Sequence, residues 1–367
     1  MKRAATATVD LDALRHNLTV AQTAAAGSRV MAVVKANAYG HGLITIAKAL
    51  QHADGLAVAC LDEAIRLRHA GLAQPILVLQ GFHDVEQIAL FAQLNLIAVV
   101  HHAEQLQMLR DSDSAAIRIW LKIDTGMGRL GFYPVDVREV YQQLKGSSAV
   151  QNEVGLMSHM ASADELDSPV TAQQLACFND CTQGLAGERS LANSAALLAS
   201  PESRADWVRP GLMLYGANPF VSGTAADWNL RPVMSLSSRL MAIKQICKGQ
   251  RVGYAGSWTA PEKMLMGLVA IGYGDGYPRH AVVGTPLLIA GKRATLIGRV
   301  SMDLLNVDLS SVPEAKVGDE VVLWGEGLPV DEVAQSSSTL AYELLCGATK
   351  NLELGINGEI GIGNESN

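Results

Sequence analysis

Between Val30 and Val208 the chain repeats one unit: a short apolar run, then a stretch long enough for a helix. The runs are Val30–Val34, then 55–60 (GLAVAC), 75–80 (PILVLQ), 95–100 (NLIAVV), 117–124 (IRIWLKID), 153–159 (EVGLMSH), 190–193 and 206–208 (DWV). Helices are predicted over 43–51, 61–70, 84–93, 103–111, 135–145 and 171–185 from the spacing of their apolar residues. Runs this short and this apolar read as strands buried on both faces, which is the signature of a parallel sheet. Eight such units satisfy a closed (β/α)8 TIM-type barrel, and an open doubly wound sheet satisfies the same count. The polar residues favour the barrel. Lys35, the segment from Lys122 to Arg129, His159, Asn193-Ser194 and Arg209 all fall at or just past the C-terminal ends of the runs. Those ends converge on one mouth in a barrel.

The pattern changes near Leu230-Arg231-Pro232. Strands with tight glycine turns are predicted at 235–246, 265–272, 286–290, 294–309 and 320–324, with one helix over 330–346. The chain is therefore divided into a barrel, 1–232, and a mostly-β domain, 233–367. Ala7 to Val9 reads as a short strand, with Asp10 capping a helix that carries Leu11, Leu14, Leu18 and Ala21 on one face. These first residues are expected to pack on the second domain. The end of the Gly- and Asn-rich tail, 347–367, is expected to be poorly ordered.

A net charge of −7 without a basic block argues against nucleic acid as a partner. No run is long enough to cross a bilayer, and Met1-Lys2-Arg3 is not followed by the apolar core of a secretory signal, so a cytoplasmic product is expected. Cys60, Cys177, Cys181, Cys247 and Cys346 are scattered, are read as reduced, and offer no metal site.

Lys35 ends the first run, and Ala36 to His41 follow it with small residues and Tyr39. A strand-end lysine is either a solvated rim residue or an amine that forms a Schiff base. Leu191–Ala196 (LANSAA) and Arg209-Pro210-Gly211-Leu212 lie at the seventh and eighth strand ends, where barrels of this type bind phosphate. An amine-bearing strand end together with a phosphate anchor specifies pyridoxal 5′-phosphate. Gly126-Met127-Gly128-Arg129-Leu130-Gly131 fits the dinucleotide pattern G-x-G-x-x-G, but Pro134 arrives where that fold needs a running helix. A turn that aims Arg129 at the mouth is the better account. In the second domain, Tyr254 and Tyr273 are flanked by glycines and small residues, as in side chains that reach into another site.

Taken together, VVKANAYGHG, LKIDTGMGRLG, SHMASADE, NSAA, DWVRPGLMLYG, VGYAG, IGYGDGYPR, GRVSMD and AYELLC closely resemble the alanine racemase family, in this order, from about residue 7 to 346. The resemblance implies pyridoxal phosphate as cofactor, alanine as substrate, and a head-to-tail homodimer with shared active sites. It implies that Lys35 carries the cofactor, that Tyr39, Ser194, Gly211, Leu212 and Tyr342 hold its phosphate with Asn193 beside them, and that Arg209 faces the ring nitrogen. Arg129 would contact the cofactor oxygen and the substrate carboxylate, and Lys122 is a candidate for carbamylation that orients it. Met302 and Tyr273 of the other chain would complete the substrate pocket, with Asp164, Arg279 and Arg299 further out. Lys35 and the other chain's Tyr254 would act as two bases, for the D- and L-enantiomer respectively, with His159 and Arg209 behind Tyr254. A free tyrosine titrates near 10, so such a base needs tuning. The product would serve peptidoglycan or alanine catabolism. A broader amino-acid racemase, a decarboxylase on the same barrel, and a non-catalytic carrier of the cofactor are the alternatives. VGYAG and GRVSMD speak against the second, and the β-domain with Tyr254 speaks against the third.

Overall fold

The structure, a computed structural model, describes residues 4–349, 352 and 354–359. Eight parallel strands close into a barrel: Arg29–Val33, Gly55–Val58, Ile76–Val78, Ile97–Val100, Ile117–Lys122, Val150–Met157, Arg189–Ser190 and Trp207–Val208. The last closes on the first, with Trp207 opposite Arg29 and Val208 opposite Val30. Every residue of Gly55–Val58 and Ile97–Val100 is buried, as a sheet covered on both faces requires. Helices at Leu43–Ala49, Leu61–His69, Val85–Gln93, Ala103–Asp111, Val137–Gly146 and Val170–Thr182 return the chain between strands. The sixth strand starts earlier than its apolar run implies, and its register with Ile117–Lys122 shifts between Ile117 and Ile119.

The second sheet also has eight strands. Its longest, Met234–Ile246, pairs with Thr6–Asp10, Met264–Val269 and Glu320–Trp324. The first described strand thus lies in this sheet, Ala7 opposite Leu236 and Val9 opposite Met234, ahead of the barrel strands. Asp10 Oδ1 then accepts the N–H groups of Asp12 and Ala13 at 2.8 and 2.9 Å, starting the helix Leu11–Ala25.

Three details differ from the sequence reading. The stretch 294–309 is two strands, Lys292–Ile297 and Leu305–Asp308, separated by a turn that begins at Gly298 with φ +68°. The single helix over 330–346 is two, Val330–Ser336 and Ala341–Ala348, because Ser337, Ser338 and Thr339 favour turns over helix interior and Ser338 takes φ +49°. In the tail, Leu354–Asn357 forms a strand parallel to Thr6–Asp10, and 360–367, where disorder was expected, lie outside the described residues.

The second domain seals one side of the barrel mouth. A Cβ on Gly40 would lie 2.3 Å from the Leu345 carbonyl oxygen, so the helix Ala341–Ala348 rests directly on the turn that follows Lys35. Thr349 Oγ1 donates to Gly40 O at 2.8 Å, and Asn218 N donates to the Asp331 carboxylate at 3.1 Å.

Candidate active site

Lys35 leaves the first barrel strand and enters a turn of rare conformation. Ala36, Asn37, Ala38 and Tyr39 all take φ between +50° and +55°, a left-handed turn built without glycine until Gly40. Each such residue costs about 1–2 kcal/mol against a right-handed conformation. The surroundings hold it there. Asn37 Oδ1 accepts Leu43 N at 2.9 Å, and His41 Nδ1 meets the carbonyls of Ala38 and Tyr39 at 3.0 and 2.9 Å. Burial lowers the Lys35 amine below its usual range, aided by Arg129 and Arg209 and opposed by Cys346 and Glu63. Such an amine is a better nucleophile at neutral pH than a solvated one.

Opposite Lys35 lies a cationic network with little room for protons. Arg209 is 4% exposed, and its guanidinium donates to Ser190 Oγ, to Ser158 O at 2.6 Å and to Leu191 O at 3.3 Å. It also approaches His159 Nδ1 at 3.5 Å. A guanidinium only donates, so Nδ1 is the acceptor and a neutral imidazole carries its proton on Nε2. Burial, then Lys122, Arg209, Arg129 and Lys35, hold His159 well below the usual histidine range. Lys122 is likewise held well below the lysine range by burial and by Arg209 and Arg129, with Asp124 opposing them. Arg129 is exposed at the rim.

A third group of residues forms a small cradle. Ser194 heads the short helix Ser194–Ala199, capped by Asn193, whose Oδ1 accepts Ala196 N at 3.0 Å. Ser194 Oγ accepts the N–H groups of Gly211 and Met213 at 2.9 and 3.3 Å, which leaves its hydroxyl hydrogen to donate outward. A Cβ on Gly211 would lie 2.6 Å from Tyr39 Oη, so only glycine lets that phenol sit where it does. Tyr39 packs on Tyr215 and Tyr342, with centroids 4.7 and 5.6 Å away, and Leu212 heads a one-turn helix whose first N–H has no partner inside the turn. Asp164 acts electrostatically on Tyr342.

Tyr254, Met302 and Tyr273 belong to another surface. Tyr254 and Met302 line a cavity of about 660 Å³ whose walls are all second-domain residues between Lys244 and Asn306. They are 63% and 54% exposed. Tyr273 N donates to Ser301 O at 3.1 Å and Gly274 N to Met302 O at 2.8 Å, so the turn bearing Tyr273 is sewn to the one bearing Met302. Arg279 lies 6.0 Å above the Tyr273 ring, and Arg299 is exposed beside Gly253. Arg209 and Arg129 act on Lys35, Lys122 and His159 at the mouth, whereas Tyr254 lines the second-domain cavity.

This arrangement has close counterparts. Residues 9–219 match the N-terminal domain of alanine racemase and residues 233–354 match its C-terminal domain. The chain belongs to the alanine racemase family. Its fold superposes on the biosynthetic alanine racemase of Pseudomonas aeruginosa with a TM-score of 0.95 and 46% identity, covering 98% of this chain and 100% of that one. The alanine racemase of Acinetobacter baumannii gives a TM-score of 0.91 at 36% identity, covering 97% and 100%. Among relatives by sequence, the alanine racemase of Pseudomonas taetrolens is 49% identical over 346 residues, 94% of this chain and 96% of the relative.

One residue beside the mouth was not singled out by the sequence reading. Asp124 Oδ1 accepts the N–H groups of Gly126, Met127 and Gly128 at 3.0, 2.9 and 3.0 Å, and Oδ2 accepts that of Arg129 at 3.2 Å. Burial opposes its ionisation, but these four donors together hold it below the usual carboxylate range. The Arg129 loop is thus wound around one carboxylate. An aspartate followed by a small, glycine-rich run was the available signal.

Proposed function

We propose that the chain racemises alanine with pyridoxal phosphate as cofactor, and that each active site is completed by a second copy of the chain. The donor set suits the cofactor. Tyr39 Oη, the Ser194 hydroxyl, Tyr342 Oη and the Leu212 N–H form a cradle of neutral hydrogen-bond donors, with the Gly211 backbone placing Ser194 Oγ and leaving room for Tyr39, and with the Lys35 amine at the neighbouring strand end. When bound, the cofactor supplies an electron sink for the bonds of the amino acid's α-carbon.

The chain's own groups do the rest. Lys35 Nζ, held by burial as a weak cation, exchanges its proton with the α-carbon on the face it occupies and serves the D-enantiomer. Tyr254 Oη of the second copy serves the opposite face and the L-enantiomer. His159, neutral and oriented by Arg209, is the group for that phenol to meet. Arg209 has no proton to surrender to a ring nitrogen, so it leaves the electron sink weak and favours return of the proton over other bond cleavages. Arg129 neutralises the substrate carboxylate, joined by the backbone N–H of Met302, while Tyr273, Tyr342, Asp164, Arg279 and Arg299 limit access to small substrates. Lys122 Nζ, when neutral, adds carbon dioxide with loss of one proton, and the resulting carbamate supplies an anion among Arg129 and Arg209.

The observation that carries this reading is the division itself: a half-buried amine and imidazole on one surface, an exposed phenol on another. It is tested by mixing two inactive variants, Lys35→Ala and Tyr254→Phe. Mixed dimers pair one intact Lys35 with one intact Tyr254, so a random mixture should recover about a quarter of native racemisation, followed by optical rotation. Recovery of none would place both groups in one chain and end the proposal.

A further inference from the structure

We propose that Glu63 is a positioning residue for the reaction, its carboxylate tying the left-handed turn after Lys35 to the end of the neighbouring barrel strand. The proposal rests on the role given to Lys35 above.

Glu63 lies in the first turn of the helix Leu61–His69 and is 8% exposed. One carboxylate oxygen, Oε1, accepts Asn37 N–H at 3.1 Å, and the other, Oε2, accepts Ala59 N–H at 2.9 Å. Asn37 is the middle of the left-handed turn, at φ +55°, and Ala59 directly follows the strand Gly55–Val58. The other ties reach the turn from elsewhere. Leu43 and His41 are its own downstream residues, and the helix Ala341–Ala348 presses on Gly40 at its far end. Glu63 joins its centre, two residues from Lys35, to the barrel.

The chemistry requires a carboxylate. Both oxygens receive backbone N–H donors, and an amide in the same place would turn NH₂ towards one of them, losing one bond and setting donor against donor. A run of four strained residues persists only when its surroundings over-determine it. The charge has a further effect, because Glu63 raises the basicity of Lys35 where burial, Arg129 and Arg209 lower it.

The experiment compares Glu63→Gln and Glu63→Ala with the native holoenzyme. Glu63→Gln should lower kcat about 10-fold and Glu63→Ala about 100-fold, since a reacting group displaced by about 1 Å loses rate on that scale, with KM for alanine unchanged. The absorption band of the lysine-linked cofactor should titrate at lower pH in Glu63→Gln than in the native enzyme. A purely structural Glu63 would lower the melting temperature while leaving kcat per folded molecule and the titration of that band at native values, and this result overturns the proposal. Glu63→Gln keeps the side-chain volume and covers the case in which the alanine variant does not fold. A native protein without a lysine-linked band overturns the Lys35 reading and this inference together, whereas a native band with an unchanged Glu63→Gln overturns this inference alone.

Discussion

The barrel mouth and the Tyr254 face solve opposite problems. At the mouth, Arg209, His159, Lys122 and Lys35 are packed so that three of them are driven towards neutrality by burial and by one another. Arg209 is held by the fixed carbonyls of Ser158 and Leu191 as well as by Ser190 Oγ. On the other surface, Tyr254 and Met302 stand exposed at turn tips, and only the turns are anchored. The first surface is preorganised and costs stability to build, whereas the second has its geometry left to whatever docks on it. A residue of the first kind should therefore affect folding and chemistry together, and one of the second kind chemistry alone.

The largest test of that contrast is Tyr254→Phe. Loss of one positioned acid–base group should slow abstraction from L-alanine by about 10²–10⁴-fold, roughly 3–5 kcal/mol, with the cofactor retained and the melting temperature unmoved. Near-native L-to-D turnover would remove the phenol from its role. On the barrel side, stability should depend on pH through His41, which is fully buried and pushed down to about 4 by burial, partly offset by the carbonyls of Tyr39 and Ala38. The unfolded chain binds the proton near 6.5 and the folded one near 4, so stability is intact above the first value and falls as pH drops towards the second. About 3 kcal/mol should be lost across that window. Urea midpoints measured against pH should show the slope in the native protein and its absence in His41→Gln.

Gly211→Ala comes next. Its methyl group would sit 2.6 Å from Tyr39 Oη, and it should cost about 1–3 kcal/mol of stability together with weaker retention of cofactor on gel filtration. Equal retention would mean that Tyr39 is not part of the cradle. Met302→Ala should do least, changing stability by about 0.5 kcal/mol or less in thermal melts, because the side chain is exposed and the proposed contribution is a backbone N–H. A large loss of stability there would show that the second surface is not the passive one described.

The barrel was readable because burial on both faces leaves a continuous apolar run, and a helix between runs forces a parallel sheet. The positions of Lys35, His159 and Arg209 were legible for the same reason, since strand ends of a barrel share one mouth. Residues acting through others were harder to read. Asp124 and Glu63 look like ordinary carboxylates of a turn and a helix start, and only their backbone partners at Gly126–Arg129, Asn37 and Ala59 mark them. The break at Ser337–Thr339 was hidden because the apolar spacing continues across it.

The sequence by itself determined the alternation, the polar residues at strand ends that favour a barrel over an open sheet, and the change to β-rich structure after Pro232, because these depend on local periodicity and position. Only the tertiary structure decided that Thr6–Asp10 belongs to the second sheet, that four residues after Lys35 are held left-handed, and that one arginine fixes the proton of His159. Those features arise from contacts between segments far apart in the chain, where a hydrogen bond or a missing Cβ outweighs local preference.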